Sequence, residues 1–245
     1  MNIYGDFANI YDRFINAPYE DWAHYIEELW QMHGALPKSV LDLACGTGGL
    51  TRILAKKGYD MIGVDISAEM LTVARQKGMG IDSQILYLQQ DVREFELYGT
   101  VDAIVCVCDG INYLTKPKDL IQTFSLVRNY LNPSGLFVFD INSEYKYKNI
   151  LSDNTFAQTD ENAAYIWENY YDPNDRINEY DITFFVKEGK HYRRFEEVHT
   201  QKAHSVKEIK SALISADLEY ITHYGELTKN EPKLDSERIF FVAQK

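Results

Sequence analysis

The sequence predicts an α/β chain, a doubly wound sheet with a small antiparallel β lid inserted after the fifth strand. Three observations predict it. From Ser39 to Ile141 short apolar runs alternate with helix-period segments, the pattern of a parallel sheet covered by helices. A glycine-bearing turn, Asp42-Leu43-Ala44-Cys45-Gly46-Thr47-Gly48, follows the first of those runs. After Ile141 the alternation stops, and a stretch rich in Tyr, Phe and Trp takes over with period-two spacing and tight turn signals.

Taken in order, the chain opens with two helical stripes. Phe7, Ile10, Tyr11, Phe14 and Ile15 share one helix face, and Trp22, Tyr25, Ile26, Leu29 and Trp30 share another, with Glu20 and Asp21 in its first turn. Ser39–Ala44 reads as a buried strand, and the glycine turn leads into a helix through Leu50, Ile53 and Leu54 that Gly58 ends. Tyr59–Ile66 is a second strand, Ser67 caps a helix through Arg75, and Ile85–Gln90 is a third strand ending at Asp91. Val101–Cys108, almost wholly apolar, has the composition of a strand buried on both faces. A helix over Asp119–Leu131, a turn at Asn132-Pro133-Ser134-Gly135 and a strand over Leu136–Ile141 complete the alternation, a Rossmann-like layout.

The lid occupies 143–203, between core segments 1–142 and 204–245. Turns at Asp172–Asp175 and Lys187–Lys190 divide it into three strand-like runs. Ser205 to Glu208 is a capping box opening a helix to about Ala216. Leu218–Leu227 and Arg238–Ala243 then form a closing hairpin, expected antiparallel at the sheet edge, which brings the sheet to seven strands with the last antiparallel.

Composition narrows the function. A formal net charge of −12 over 245 residues disfavours nucleic acid and anionic membranes as partners and favours a small molecule. The chain has no apolar run of about 18 residues, so no membrane span is expected, and Met1 to Asp6 lacks the basic and apolar regions of a secretion signal. A cytoplasmic monomer or homodimer is the expectation. Cys45, Cys106 and Cys108 have neither metal-ligand nor disulfide spacing and read as small buried hydrophobes; no metal is expected.

The chemistry concentrates at strand ends. Gly46 and Gly48 let the backbone approach a ligand, and the helix that follows offers unpaired N–H groups to an anion. Asp65 ends the second strand, where a carboxylate can accept both hydrogen bonds of a ribose diol. Asp91 ends the third and can accept from an adenine amino group while the Val92 amide donates to the ring. A nicotinamide fingerprint would need a third small residue at position 51, where this chain has Thr51.

These motifs resemble a known family. LDLACGTGGL, IGVDISAEML, LQQDVREF and VDAIVCVCDGINYL, within residues 36–142, are similar to the successive motifs of class I S-adenosylmethionine-dependent methyltransferases. The opening Phe7-Ala8-Asn9-Ile10-Tyr11-Asp12 and the aromatic insertion resemble a small-molecule subset that includes bacterial relatives of glycine and sarcosine N-methyltransferases. The resemblance implies S-adenosyl-L-methionine as cofactor. It implies that Asp42, with the Ala44, Gly46 and Gly48 backbone, holds the methionine end, and that Asp65 takes the ribose. Ile66 and Met70 would flank the adenine and Asp91 with Val92 read its edge. Cys108 and Asp109 would lie beside the sulfonium, with Tyr11 and the N-terminal helices over 5–33 covering the cofactor.

The expected reaction is methyl transfer to an N or O atom of a small acceptor. Candidate acceptor contacts are Asp109, Asn112 and Tyr113 after the fourth strand, and Arg194, Glu197 and His199 in the lid; Tyr113, Glu197 and His199 are the candidates for proton handling. An RNA-modifying methyltransferase and a cofactor-binding protein without catalysis are the alternatives. A cavity reaching both Asp109 and the lid would argue against the latter.

Overall fold

The computed structural model describes Phe14 and residues 17–80 and 85–245. The first complete helix, α1 (Tyr19–Met32), buries the predicted stripe of Trp22, Tyr25, Ile26, Leu29 and Trp30. Its acidic first turn, Glu20 and Asp21, complements the positive end of the helix dipole. The earlier stripe lies outside the described residues except for Phe14, whose ring meets Tyr165 edge-on at 4.9 Å.

The main sheet comprises β1 (Ser39–Leu43), β2 (Asp60–Asp65), β3 (Leu86–Gln89), β4 (Val101–Cys106), β5 (Leu131–Asn142) and two closing strands. Between them run α2 (Gly49–Lys56), α3 (Ala68–Gly78), which Ser67 caps as expected, and α4 (Pro117–Tyr130). Side-chain alternation along the strands produces two separate cores. Val40, Ala103, Val105, Leu136 and Val138 pack under α1 and α2, whereas Leu41, Leu43, Ile104, Phe137 and Phe139 face α4.

The lid is a four-stranded antiparallel sheet in chain order: β6 (Thr155–Thr159), β7 (Ala163–Asp172), β8 (Ile177–Glu188) and β9 (His191–Lys202). The sequence predicts three of these strands. β6 escapes because Thr-Phe-Ala-Gln-Thr is short and almost entirely exposed, so it carries no apolar alternation. A π-helical turn over Lys146–Leu151 joins β5 to the lid. Beyond the lid, α5 (Val206–Ser215) opens on the predicted capping box, with both Ser205–Glu208 bonds formed.

The closing strands are β10 (Glu219–Gly225) and β11 (Arg238–Gln244), and the sheet order is β10-β11-β5-β4-β1-β2-β3. The closing hairpin lies at the sheet edge, as the sequence predicts. β11 inserts between β5 and β10, antiparallel to both. Its residues explain the insertion: Phe240 and Val242 on one face and Phe241 and Ala243 on the other are all fully buried, while β10 is half-exposed and takes the edge. The predicted turn at Asn132–Gly135 sits inside β5, where pairing steps from Val101–Leu131 to Ala103–Leu136 and the intervening residues bulge out. No described helix is long and apolar enough to cross a membrane.

Candidate active site

A cavity of about 820 Å³ opens at the carboxyl ends of β1, β2 and β4 and runs beneath the lid. Its volume suits a small-molecule site, roughly 300–1,000 Å³.

The glycine turn forms one wall. Ala44, Gly46 and Gly48 all have positive φ, at 56°, 54° and 72°. A Cβ on Gly48 would sit 2.5 Å from the Tyr87 hydroxyl, so only glycine fits there. A Cβ on Gly46 would meet nothing and would stand in the cavity space that Gly46 lines. Asp42 lies beneath the turn, only 2% exposed, and accepts a 2.6 Å hydrogen bond from the Thr51 hydroxyl. Burial pushes its carboxyl up to about 7, against that hydrogen bond. Thr51 is thus the anchor of the Asp42 carboxylate; the sequence shows it only as a departure from a different fingerprint.

Asp65 ties the turn to the second strand. One oxygen accepts from the Gly46 amide at 2.8 Å and the other from the Ser67 amide at 2.9 Å. Burial raises its carboxyl and these amides pull it back. Each oxygen retains a second lone pair for a ligand. Beside it Ile66 is 63% exposed, an apolar surface turned to the cavity with Met70 and Val92. Asp91 also lines the cavity, but the Arg93 guanidinium forks onto both its oxygens, with Nε at 2.9 and 3.0 Å. That bond holds its carboxyl below the usual range. Arg93 was not legible as a site residue; its i+2 spacing from Asp91 is the signal.

The loop after β4 is held in a costly backbone conformation. Cys108 and Asp109 have φ of 65° and 57°, and both amides donate to the buried Asp140 carboxylate, at 3.2 and 2.9 Å. Arg238 clamps the arrangement, donating from Nη1 to Asp140 at 2.5 Å and from Nη2 to Asp109 at 2.9 Å, with its guanidinium 5.1 Å from the Trp22 ring centroid. The other Asp109 oxygen accepts from Gln201 of β9 at 2.7 Å. Gln201 Oε1 in turn accepts the hydroxyls of Tyr147 and Tyr180, which fixes the amide so that its N–H₂ points at Asp109. Both Asp109 oxygens are therefore engaged. Of the three cysteines, Cys45 and Cys106 are buried as expected, and Cys108 is half-buried at the cavity wall.

Of the predicted acceptor contacts, Tyr113 and His199 meet: the Tyr113 hydroxyl is 3.2 Å from His199 Nδ1, and both line the cavity. Burial lowers the His199 pKa, with the Asp109 charge pulling the other way. Glu197 lines the same space. Two candidates do not belong to it. Asn112 is fully buried, its amide bonded to the Lys202 and Asn142 carbonyls and its oxygen to the Asn142 amide, so it staples the lid to β5. Arg194 is surface-exposed and paired with Glu196, because strand alternation turns it away from Phe195, Glu197 and His199. Tyr11 lies outside the described residues.

Comparison with known proteins places this geometry. Residues 40–135 match a methyltransferase domain family. The chain superposes on the crystal structure of an S-adenosylmethionine-dependent methyltransferase from Clostridium acetobutylicum ATCC 824 with a TM-score of 0.89, at 33% identity over 99% of each chain. It is 40% identical, over 99% of its own length and 97% of the relative's, to the protein named "Putative methyltransferase YqeM" of Bacillus subtilis (strain 168). The chain belongs to the class I S-adenosylmethionine-dependent methyltransferases.

Its relatives include N-methyltransferases of small molecules. This methyltransferase is 27% identical to glycine/sarcosine N-methyltransferase of Halorhodospira halochloris over 82% of this chain and 79% of that one. It is 30% identical to dTDP-3-amino-3,4,6-trideoxy-alpha-D-glucopyranose N,N-dimethyltransferase of Streptomyces venezuelae over 55% of this chain and 56% of that one. The donor set fits the cofactor: space beside Gly46, lone pairs on Asp65, and an exposed apolar shelf at Ile66.

Proposed function

We propose that this methyltransferase methylates an amine nitrogen of a small molecule, with His199 accepting the proton. The observation that carries the reading is the contact between Tyr113 and His199 in a cavity that also reaches Asp109. A cavity continuous from the glycine turn to the lid supports catalysis over cofactor binding alone.

For the cofactor, the proposed holders are the Gly46 turn above Asp42 at the methionine end, Asp65 at the ribose, Ile66 and Met70 at the adenine faces, and Asp91 with Val92 at its edge. When bound, S-adenosylmethionine supplies a methyl group on a cationic sulfur. The remaining work belongs to the chain's own residues. The cavity wall carries more acidic than basic side chains, which favours a cationic amine. An amine that arrives protonated must lose its proton before its lone pair is nucleophilic. Asp109 has both oxygens engaged, by Arg238 and Gln201. In the tautomer whose Nδ1–H donates to the Tyr113 oxygen, Nε2 is the nitrogen proposed to take that proton. Holding the nitrogen in line contributes the rest of the rate, up to roughly 7–11 kcal/mol in well-oriented systems.

The test is kinetic. His199→Ala should lower kcat about 100-fold, within the span of general-base effects, while the affinity for S-adenosylhomocysteine stays within about twofold. Because the His199 pKa is depressed, the rate should hold through neutral pH and fall only as the pH drops below the ordinary imidazole range. Full turnover by the variant would sink the assignment.

A further inference from the structure

The cavity face of the lid is built in rows. Pairing across β7, β8 and β9 aligns Tyr165, Phe184 and Phe195, then Trp167, Ile182 and Glu197, then Asn169, Tyr180 and His199. The first row is apolar and packs on Met70 and Val73 of α3. The third row carries the proposed proton acceptor. The middle row is the unexplained one.

Glu197 is 9% exposed, and its Oε1 is buried without a hydrogen-bond partner. Trp167 Nε1, on the other side of Ile182, is likewise buried and unpartnered. Burial and the nearby Glu69 push the Glu197 carboxyl up, and among the described residues no ion pair supplies it a counter-charge. Polar groups withdrawn from water without partners cost free energy, so an unpartnered acceptor and donor on two side chains that line one cavity mark a place that a ligand completes.

We propose that Glu197 and Trp167 form a hydroxyl-recognising subsite for the methyl acceptor, which is a hydroxylated amine. Glu197 accepts from one hydroxyl and the Trp167 indole N–H donates to another oxygen. The inference rests on the proposed function, since it takes His199 as the place of the nitrogen. Glu197 stands two residues from His199 on one strand face, about 7 Å along β9, and Trp167 two strands away, about 10 Å across. An acceptor the size of glycine does not span those distances. The cofactor's ribose hydroxyls are the other source of the same chemistry, because Glu69 and α3 follow directly on Asp65.

Transfer from labelled S-adenosylmethionine to 1-amino-1-deoxyglucitol, butylamine and glycine separates these. The expected result is kcat/KM for the aminopolyol at least tenfold above that for butylamine and glycine. Glu197→Gln and Trp167→Phe should each remove about tenfold of it, mainly through KM, with the Kd for S-adenosylhomocysteine unchanged within twofold. Equal transfer to the aminopolyol and butylamine, nil included, overturns the inference. So does Glu197→Gln weakening S-adenosylhomocysteine binding without raising the acceptor KM. The underlying reading fails separately, by His199→Ala retaining full turnover.

Discussion

Arg238→Met should lower the thermal midpoint by about 10 °C and abolish most methyl transfer. The arginine is almost fully buried, and its guanidinium meets two carboxylates, Asp140 and Asp109, with Glu226 at 3.6 Å. Removing one partner from a buried ion network leaves the others uncompensated, a loss of roughly 3–5 kcal/mol. At this chain length each kcal/mol moves the midpoint by about 2–4 °C. The damage should reach the site, because Asp140 accepts from the amides of the left-handed pair Cys108 and Asp109. Arg238→Lys separates charge from geometry. A lysine supplies one ammonium where the fork makes two directed bonds, so it should recover part of the stability and little of the activity. Thermal denaturation and single-turnover rates on the three proteins measure both effects. A methionine variant with an unchanged midpoint would show that the network is not a structural keystone.

Asp65→Ala should weaken S-adenosylhomocysteine binding by about 100-fold. The carboxylate is proposed to accept two ribose hydroxyls, and hydrogen bonds to a charged group contribute about 1.5–3 kcal/mol each. Two at the lower figure give about 3 kcal/mol, a factor of roughly 100. The substitution also releases the Gly46 amide, which loosens the turn proposed to face the methionine end. Asp65→Asn keeps an acceptor oxygen without the charge and should fall between the variant and the parent. Calorimetric titration decides it, and undiminished affinity in both variants would remove Asp65 from the cofactor site.

What the sequence shows of this molecule follows from the range of the interactions. The Ser67 and Ser205 caps, the α1 stripe and the five alternating strands depend on neighbours within a few residues, and each is legible. The place of β11 depends on pairing with a strand about a hundred residues earlier, and its two apolar faces carry the only local hint. The same contrast holds in the site. Asp42, Asp65 and Asp91 stand at strand ends, where spacing from the glycine turn marks them. Arg238 is a lone arginine opening a terminal strand, 98 and 129 residues from the carboxylates it joins, and nothing near it signals a role. Thr51 and Arg93 sit close to visible motifs yet read as a mismatch and a surface charge. Asn112 and Arg194 are polar residues beside true cavity residues, and only the direction of each side chain separates them from the site.

The central claim is that this methyltransferase places a methyl group on the amine nitrogen of a small molecule. The most direct measurement incubates the purified protein with methyl-labelled S-adenosylmethionine and a small-molecule extract of cells, then locates the label by fragmentation mass spectrometry. The expected result is a single acceptor class carrying the label on nitrogen, absent with His199→Ala. Label found on oxygen, confined to RNA or protein when those are added, or absent altogether would contradict it.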